Sequence, residues 1–195
     1  MSLEQLVFLN QTHSIQGKVI TKEDASTALP SFVNEGDYII TKVPRMGLGI
    51  STADCLPLII YDPKNHAVAI AHAGWKGTVA GIGPVVLSRM KNLFSTKASD
   101  VEVILGPAAK QCCYEVQEDF MNNVKAFPYA STLFKRTDKG IFFDRDGLTR
   151  RQLEDVGVTS FNTQYHACTI CDPGHCSVRR LPGSLERQMT VVTLR

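Results

Sequence analysis

The sequence predicts an α+β fold in a single domain. Short strand-like apolar runs outnumber helical segments, and the two kinds do not alternate as a doubly wound sheet requires. Two of the runs, Leu56–Tyr61 and Ala67–Ala71, are joined directly by the turn-forming Asp62-Pro63-Lys64-Asn65, which is a hairpin signal. At 195 residues the chain can bury roughly two-thirds of its unfolded surface.

From the N-terminus, Leu6–Leu9 reads as a strand ending at Asn10-Gln11-Thr12-His13, and Lys18–Thr21 as a second strand. The polar segment Lys22–Pro30 is expected to be a surface loop. Tyr38–Thr41 and Leu48–Thr52 follow as strands separated by Pro44 and Gly47. After the hairpin, Thr78–Phe94 predicts the clearest helix, with Ile82, Val85, Val86, Met90 and Leu93 on one face, although Gly81, Gly83 and Pro84 weaken its first turns. Val101–Leu105 is a buried-type strand stopped by Gly106-Pro107, and Gln117–Ala126 reads as a short helix. Ile141–Asp144 predicts a strand, and Asp146–Val156 a helix capped by Asp146 and ended by Gly157. Thr159–Tyr165 reads as a strand, the thiol-rich Cys168–Cys176 loop follows, and Met189–Leu194 closes the chain as a strand.

Bulk properties exclude several classes. A net charge of +2 is too small to argue for nucleic acid or an anionic membrane surface. No apolar run approaches the roughly 18 residues of a membrane span, and the N-terminal apolar stretch has no basic region before it. Six cysteines without an export signal read as reduced thiols of a cytoplasmic protein, either monomer or homodimer.

The chemistry concentrates in Ala53–Gly77. With the hairpin loop centred near Pro63–Lys64, Cys55 and His72 fall almost opposite each other, roughly 5 Å apart at Cβ. That spacing suits a thiolate and an imidazole sharing one metal ion, and equally a Cys–His nucleophile pair. After His72 the chain runs Ala73-Gly74-Trp75-Lys76-Gly77 into a helix, whose start favours an anion. His13 lies in a turn flanked by hydrogen-bonding side chains, with nothing in its spacing to tie it to the other two. Cys168-Thr169-Ile170-Cys171, with His175 and Cys176 beyond, looks like half of a zinc knuckle without its partner pair, and vicinal Cys112-Cys113 reads as packing. Arg179-Arg180 offers two guanidinium forks suited to phosphate, and Trp75 is either core or a stacking surface for a heterocycle.

Six ordered motifs then carry a resemblance: Asn10-Gln11-Thr12-His13-Ser14, Ala53-Asp54-Cys55-Leu56-Pro57, Ala71-His72-Ala73-Gly74-Trp75-Lys76-Gly77, Gly106-Pro107, Cys113-Tyr114-Glu115-Val116 and Ser177-Val178-Arg179-Arg180. Together the chain resembles the laccase-domain (YfiH-type) family, also called multicopper polyphenol oxidoreductase or purine nucleoside phosphorylase. The resemblance implies a four-layer α/β/β/α fold with mixed sheets of the cysteine-hydrolase type. It also implies a zinc site on His13, Cys55 and His72, which copper could also occupy. The substrates it implies are purine nucleosides (adenosine, inosine, guanosine, methylthioadenosine) with phosphate, and adenosine for deamination. Relatives usually carry a few dozen more residues before Asn10, so the chain is expected to be a YfiH-type domain lacking that segment. His175, Cys176 and Lys110 depart from the family pattern.

On this reading Cys55, His72, His13 and Asp54 are the catalytic candidates, with Asp54 and Gln11 moving protons or orienting the site. Gln11, Arg45, Gly74, Trp75, Lys76, Tyr114 and Arg179 are the substrate-binding candidates: Lys76, Arg45 and Arg179 for phosphate, Trp75 or Tyr114 for the purine. Five histidines with no His-x-His pair cannot house four coppers, so laccase chemistry of the multicopper kind is discarded. The alternatives are a metal-free Cys–His hydrolase acting on an amide or cell-wall precursor, and a non-catalytic nucleotide-binding module.

Overall fold

In the computed structural model, which describes residues 5–26, 32 and 34–195, the elements run β1 (Gln5–Phe8), β2 (Gly17–Ile20), α1 (Lys22–Ala25), β3 (Tyr38–Thr41), β4 (Met46–Thr52), β5 (Leu56–Asp62), β6 (Ala67–Ala73), α2 (Trp75–Val79) and α3 (Ile82–Phe94). They continue with β7 (Glu102–Leu105), β8 (Glu115–Val116), β9 (Phe134–Thr137), β10 (Gly140–Phe143), α4 (Arg145–Asp155), β11 (Ser160–Asn162) and β12 (Gln188–Thr193). No helix among the described residues is long and apolar enough to cross a membrane.

The hairpin β5–β6 is the centre of a six-stranded mixed sheet ordered β11-β7-β5-β6-β3-β2. Both strands are apolar almost throughout because both faces are covered. On one face Leu56, Leu58, Ile60 and the alanines 67, 69, 71 and 73 pack against Ile82, Val86 and Met90 of α3 and Leu153 of α4. The small alanines let the helices lie close. On the other face Ile59, Val68 and Ile70 meet Val7, Met46, Leu48, Ile50 and Val192 of the three-stranded sheet β1-β4-β12. A third small sheet, β8-β10-β9, carries its own core of Tyr114, Val116, Leu133 and Phe143. The α+β class and the mixed sheets expected from the sequence are those of the structure.

Several elements differ from expectation for local reasons. The helix foreseen over Thr78–Phe94 is two helices, because Gly81 at φ 81° breaks the chain between α2 and α3. Pro84 then falls in the first turn of α3, where its missing N–H costs nothing. Leu93 is 43% exposed, and Leu87 takes its place in the buried stripe. Asp146 does not cap α4; the cap is Asp144, whose Oδ1 accepts the Gly147 N–H at 2.8 Å. The Gln117–Ala126 segment forms only a 3-10 turn, Glu118–Asn123, in keeping with the weak helix propensity of its asparagines. The expected Lys22–Pro30 loop begins with α1, closed by a Thr21–Asp24 capping box, and its residues 27–30 lie outside those described. The strand at Thr159–Tyr165 shortens to Ser160–Asn162. Strand β9, with one apolar residue in Phe-Lys-Arg-Thr, gave no alternating signal, and only its pairing with β10 makes it a strand.

The central hairpin is held at its loop by Asp62. Its Oδ1 accepts the N–H groups of Lys64 and Asn65, each at 3.0 Å, and Oδ2 accepts the Asn65 side chain at 2.7 Å. Burial alone would raise this carboxyl's pKa, but hydrogen bonds to the charged form outweigh it and hold the group below its ordinary value. The resulting stability is present above the unfolded carboxyl's pKa of about 3.9 and is lost as pH falls through the lower folded value. Asp62→Ala should therefore cost about 1–3 kcal/mol in urea unfolding at pH 7. The gap to the parent protein should narrow below about pH 4; a gap independent of pH would exclude the charge as the cause.

Candidate active site

Three donor atoms converge where the two large sheets meet. His13, Cys55 and His72 each offer one ligand atom, and the three atoms lie within 4.8 Å of one another. Cys55 Sγ is 3.8 Å from His13 Nε2, and the two imidazoles meet edge to face with centroids 4.7 Å apart. The hairpin register pairs His72 with Pro57, so Cys55 stands beside Gly74 and reaches His72 diagonally rather than directly across. His13 joins them from a loop more than forty residues earlier in the chain. Gly74 makes room for it, since a Cβ there would sit 2.5 Å from the His13 ring and 3.4 Å from Cys55 Sγ.

One buried carboxylate sets this geometry, and the sequence reading missed it. Asp37, 1% exposed, accepts the N–H groups of Thr12, His13 and Ser14 at 3.2, 3.0 and 2.6 Å. It also accepts the hydroxyls of Thr12 and Ser14. Three successive amides can aim at one carboxylate because His13 adopts φ 61°, a left-handed conformation a side chain enters only at some cost. The same carboxylate accepts Nδ1–H of His72 at 2.8 Å. An ionised carboxylate has no proton to give, so the Nδ1 proton is held there and Nε2 is the nitrogen that would take a metal, on giving up its own proton. Burial works to raise the pKa of Asp37, but the bonds from His72 and Ser14 override it and hold the carboxyl far below the usual range.

The electrostatics favour a thiolate. Burial would push the Cys55 thiol up, but His13, His72 and the positive charge of Arg145 bring it down to about 6. Burial likewise opposes charge on His72, yet Asp37 and Cys55 raise it to about 9. Arg145 is fully buried behind Cys55: its guanidinium donates to the carbonyls of Asp54 and Ala109 at 2.9 and 3.2 Å and pairs with Asp146, which also holds His166 at 2.8 Å. Nothing in Phe-Asp-Arg-Asp announces a buried cation, so it too was missed.

The other candidates separate into groups. Gln11 clamps the backbone of Ser51 with both ends of its amide, each at 2.8 Å, and so fastens the His13 loop to β4. Asp54, at φ 85°, has its carboxylate occupied by the Thr169 hydroxyl at 2.7 Å and the Arg179 N–H at 2.9 Å. Gln11, His13, Cys55 and His72 line a cleft of about 420 Å³, together with Val178 and Arg187. Trp75, Tyr114, Phe120 and Arg179 line a second of about 470 Å³; Val178 of the first and Arg179 of the second are consecutive in the chain. Arg179 sits 4.4 Å above the Tyr114 ring and Lys76 5.8 Å from Trp75. Arg45 does not join them: it precedes β4 at the end opposite Ser51 and Thr52, roughly 20 Å along the strand. Arg187 is the guanidinium in the His13 cleft instead. The helix expected to seat an anion, α2, has only five residues. A larger hollow of about 810 Å³, lined by Ile59, Tyr165, His175 and Met189, contains none of the three donors.

The arrangement suits a metal with N₂S ligation and an open position, since His13 is exposed toward the cleft. The profile of the family described as multi-copper polyphenol oxidoreductase laccase matches residues 1–195. The purine nucleoside phosphorylase YlmD of Bacillus subtilis is 31% identical over 99% of this chain and 72% of its own length. A purine nucleoside phosphorylase of Aquifex aeolicus is 35% identical over 82% of this chain and 71% of its own. Among solved structures, YlmD from Geobacillus stearothermophilus superposes with a TM-score of 0.84 at 27% identity, covering 99% of this chain and 74% of that one. A Bacillus licheniformis protein, YfiH, gives 0.83 at 28% identity, covering all of this chain and 76% of its own.

Because Asp37 orients both imidazole-bearing segments, Asp37→Asn should weaken cobalt(II) affinity about 10- to 100-fold in a chelator competition. An unchanged affinity would show that His72 needs no anionic partner.

Proposed function

Because the chain belongs to the multi-copper polyphenol oxidoreductase laccase family, whose relatives named above carry the name purine nucleoside phosphorylase, we propose that it cleaves purine nucleosides with phosphate at the His13–Cys55–His72 centre. The observation that carries this reading is the convergence of those three donors in one open cleft. Adenosine, inosine, guanosine and methylthioadenosine are the proposed substrates, and hydrolytic removal of the adenosine amino group is proposed as a second activity of the same centre.

Zinc is the proposed ion, held by His13, Cys55 and Nε2 of His72, and when bound it supplies Lewis acidity and a water of lowered pKa. Copper fits the same donors. The family's multicopper chemistry has no support in the donor set: His66 bonds the Arg195 carbonyl, His166 pairs with Asp146 and His175 lies beside Asp172.

The chain's own residues supply orientation. In phosphorolysis a phosphate oxygen bonds to C1′ as the glycosidic C–N bond breaks and the purine leaves with the electron pair. Arg187 in the cleft of the three donors and Arg179 in the aromatic cleft are the proposed phosphate ligands. Trp75 is the proposed purine stack, since the Tyr114 ring is taken up by Arg145 and Arg179. Asp54 and Gln11 act as positioning residues, their polar atoms being engaged with Thr169, Arg179 and Ser51.

A second reading rests on the same thiol. Cys55, brought down to about 6, and His72, raised to about 9, have the form of a thiolate–imidazolium pair, as a metal-free hydrolase with Cys55 as nucleophile and His72 as its base requires. Purified protein incubated with inosine or adenosine and phosphate should release the free base, and from adenosine also hypoxanthine-type products, with turnover lost on chelation. Activity that survives chelation but not thiol alkylation would support the hydrolase. Cys55→Ala should lower kcat/KM by more than about 100-fold. Separately, Arg187→Ala should raise the KM for phosphate about 10- to 100-fold with little change in kcat, the loss expected for one charged hydrogen bond; an unaltered KM would remove Arg187 from the phosphate site.

A further inference from the structure

Four thiols far apart in sequence meet on the other side of Asp54. Cys112 and Cys113 come from the turn before Tyr114, Cys168 and Cys171 from the turn after β11. Their sulfurs all lie within 4.8 Å of one another, with Cys112 Sγ 3.6 Å and Cys113 Sγ 2.9 Å from Cys171 Sγ. An ion about 2.3 Å from each of four tetrahedral sulfurs would set them roughly 3.8 Å apart. The Cys112–Cys171 separation of 3.6 Å is close to that value, the Cys113–Cys171 separation is shorter, and no pair exceeds 4.8 Å. The half-knuckle read at Cys168-Thr-Ile-Cys171 thus has a partner pair, supplied by the vicinal cysteines that the sequence suggested were mere packing.

The two turns are tied through their backbones: the Ala108 N–H donates to the Ala167 carbonyl at 2.9 Å and the Thr169 N–H to the Ala108 carbonyl at 3.0 Å. Arg180 grips the second turn from outside, donating to the carbonyls of Thr169, Asp172 and His175, and places its charge beside the cluster. His175 and Cys176 take no part: His175 lies 3.6 Å from Asp172, and the Cys176 N–H goes to Gln188.

We infer that Cys112, Cys113, Cys168 and Cys171 form a second, structural metal site of the zinc tetrathiolate type, separate from the His13–Cys55–His72 centre. Binding one divalent ion displaces the thiol protons to solvent and leaves a cluster of charge −2, with no oxidation of sulfur. Four filled positions leave none for substrate, so the role is to fasten two loops. Those loops matter to the clefts. The 108–116 loop carries Tyr114 and the carbonyl of Ala109 that Arg145 binds. The 167–180 loop carries Thr169, which bonds Asp54 next to Cys55, and Arg179. Metal at the four thiols ties the substrate wall to the chain behind Cys55.

Zinc content of protein purified under reducing conditions tests this without reference to activity. The parent chain should carry about two zinc ions, Cys55→Ala about one, and Cys55→Ala combined with Cys168→Ser none. X-ray absorption on Cys55→Ala should find four sulfur neighbours at about 2.3 Å. If the Cys168→Ser chain does not fold, the exposed Cys112→Ser should still lose one of the four sulfurs. Metal-free Cys55→Ala with all five of its remaining thiols titrating freely, Cys176 included, would overturn the inference, as would a Cys113–Cys171 disulfide in non-reducing peptide maps.

Discussion

The Asp37 carboxylate is the constraint on which the rest of the site depends. It is buried, charged and fully used: three amides and two hydroxyls of the Thr12–Ser14 turn and one imidazole N–H all end on it. An isolated buried carboxylate is costly, and one with this many donors is stable only while all of them are in place. The same bonds fix the orientation of the His72 ring and hold His13 in a backbone conformation it would not otherwise keep. The placement of the donor side chains, backbone strain and charge burial are therefore one problem with one solution.

Cys55 is held by a parallel device. Asp54, also at positive φ, is fastened through its carbonyl to Arg145 and the Ala109 N–H, and through its carboxylate to Thr169 and the Arg179 N–H. Arg145 needs the anionic Asp146 beside it, and Asp146 in turn holds His166. The two devices meet at the three donors, one from each side of the cleft. Around them the β5–β6 hairpin gives rigidity, because its strands are enclosed by helices on one face and a second sheet on the other. The chemistry is placed at the hairpin's open end, where the enclosure stops.

Periodicity and turn chemistry made the central hairpin, the strands Tyr38–Thr41 and Leu48–Thr52, and the α+β class readable, because those signals are local and strong. They failed where structure is decided by a partner. Strand β9 has no pattern of its own and exists by pairing with β10. Arg45 looked like a phosphate ligand because it is a cation near motif residues in sequence, yet a strand's length carries it away from the cleft. Arg187, in a stretch with no motif, arrives there instead.

The sequence by itself determined the inventory: a thiol and an imidazole at the ends of a hairpin, a glycine between a strand and a helix, a CxxC turn and a vicinal cysteine pair. These follow from short-range rules of alternation and turn formation. Only the tertiary structure decided which of them meet. His13 reaches the hairpin because Asp37, on the segment entering β3, gathers its turn; the two cysteine pairs face each other because Ala108 and Cys168 bridge their loops. Such pairings depend on long-range packing and on satisfying buried charge, and neither leaves a periodic trace along the chain.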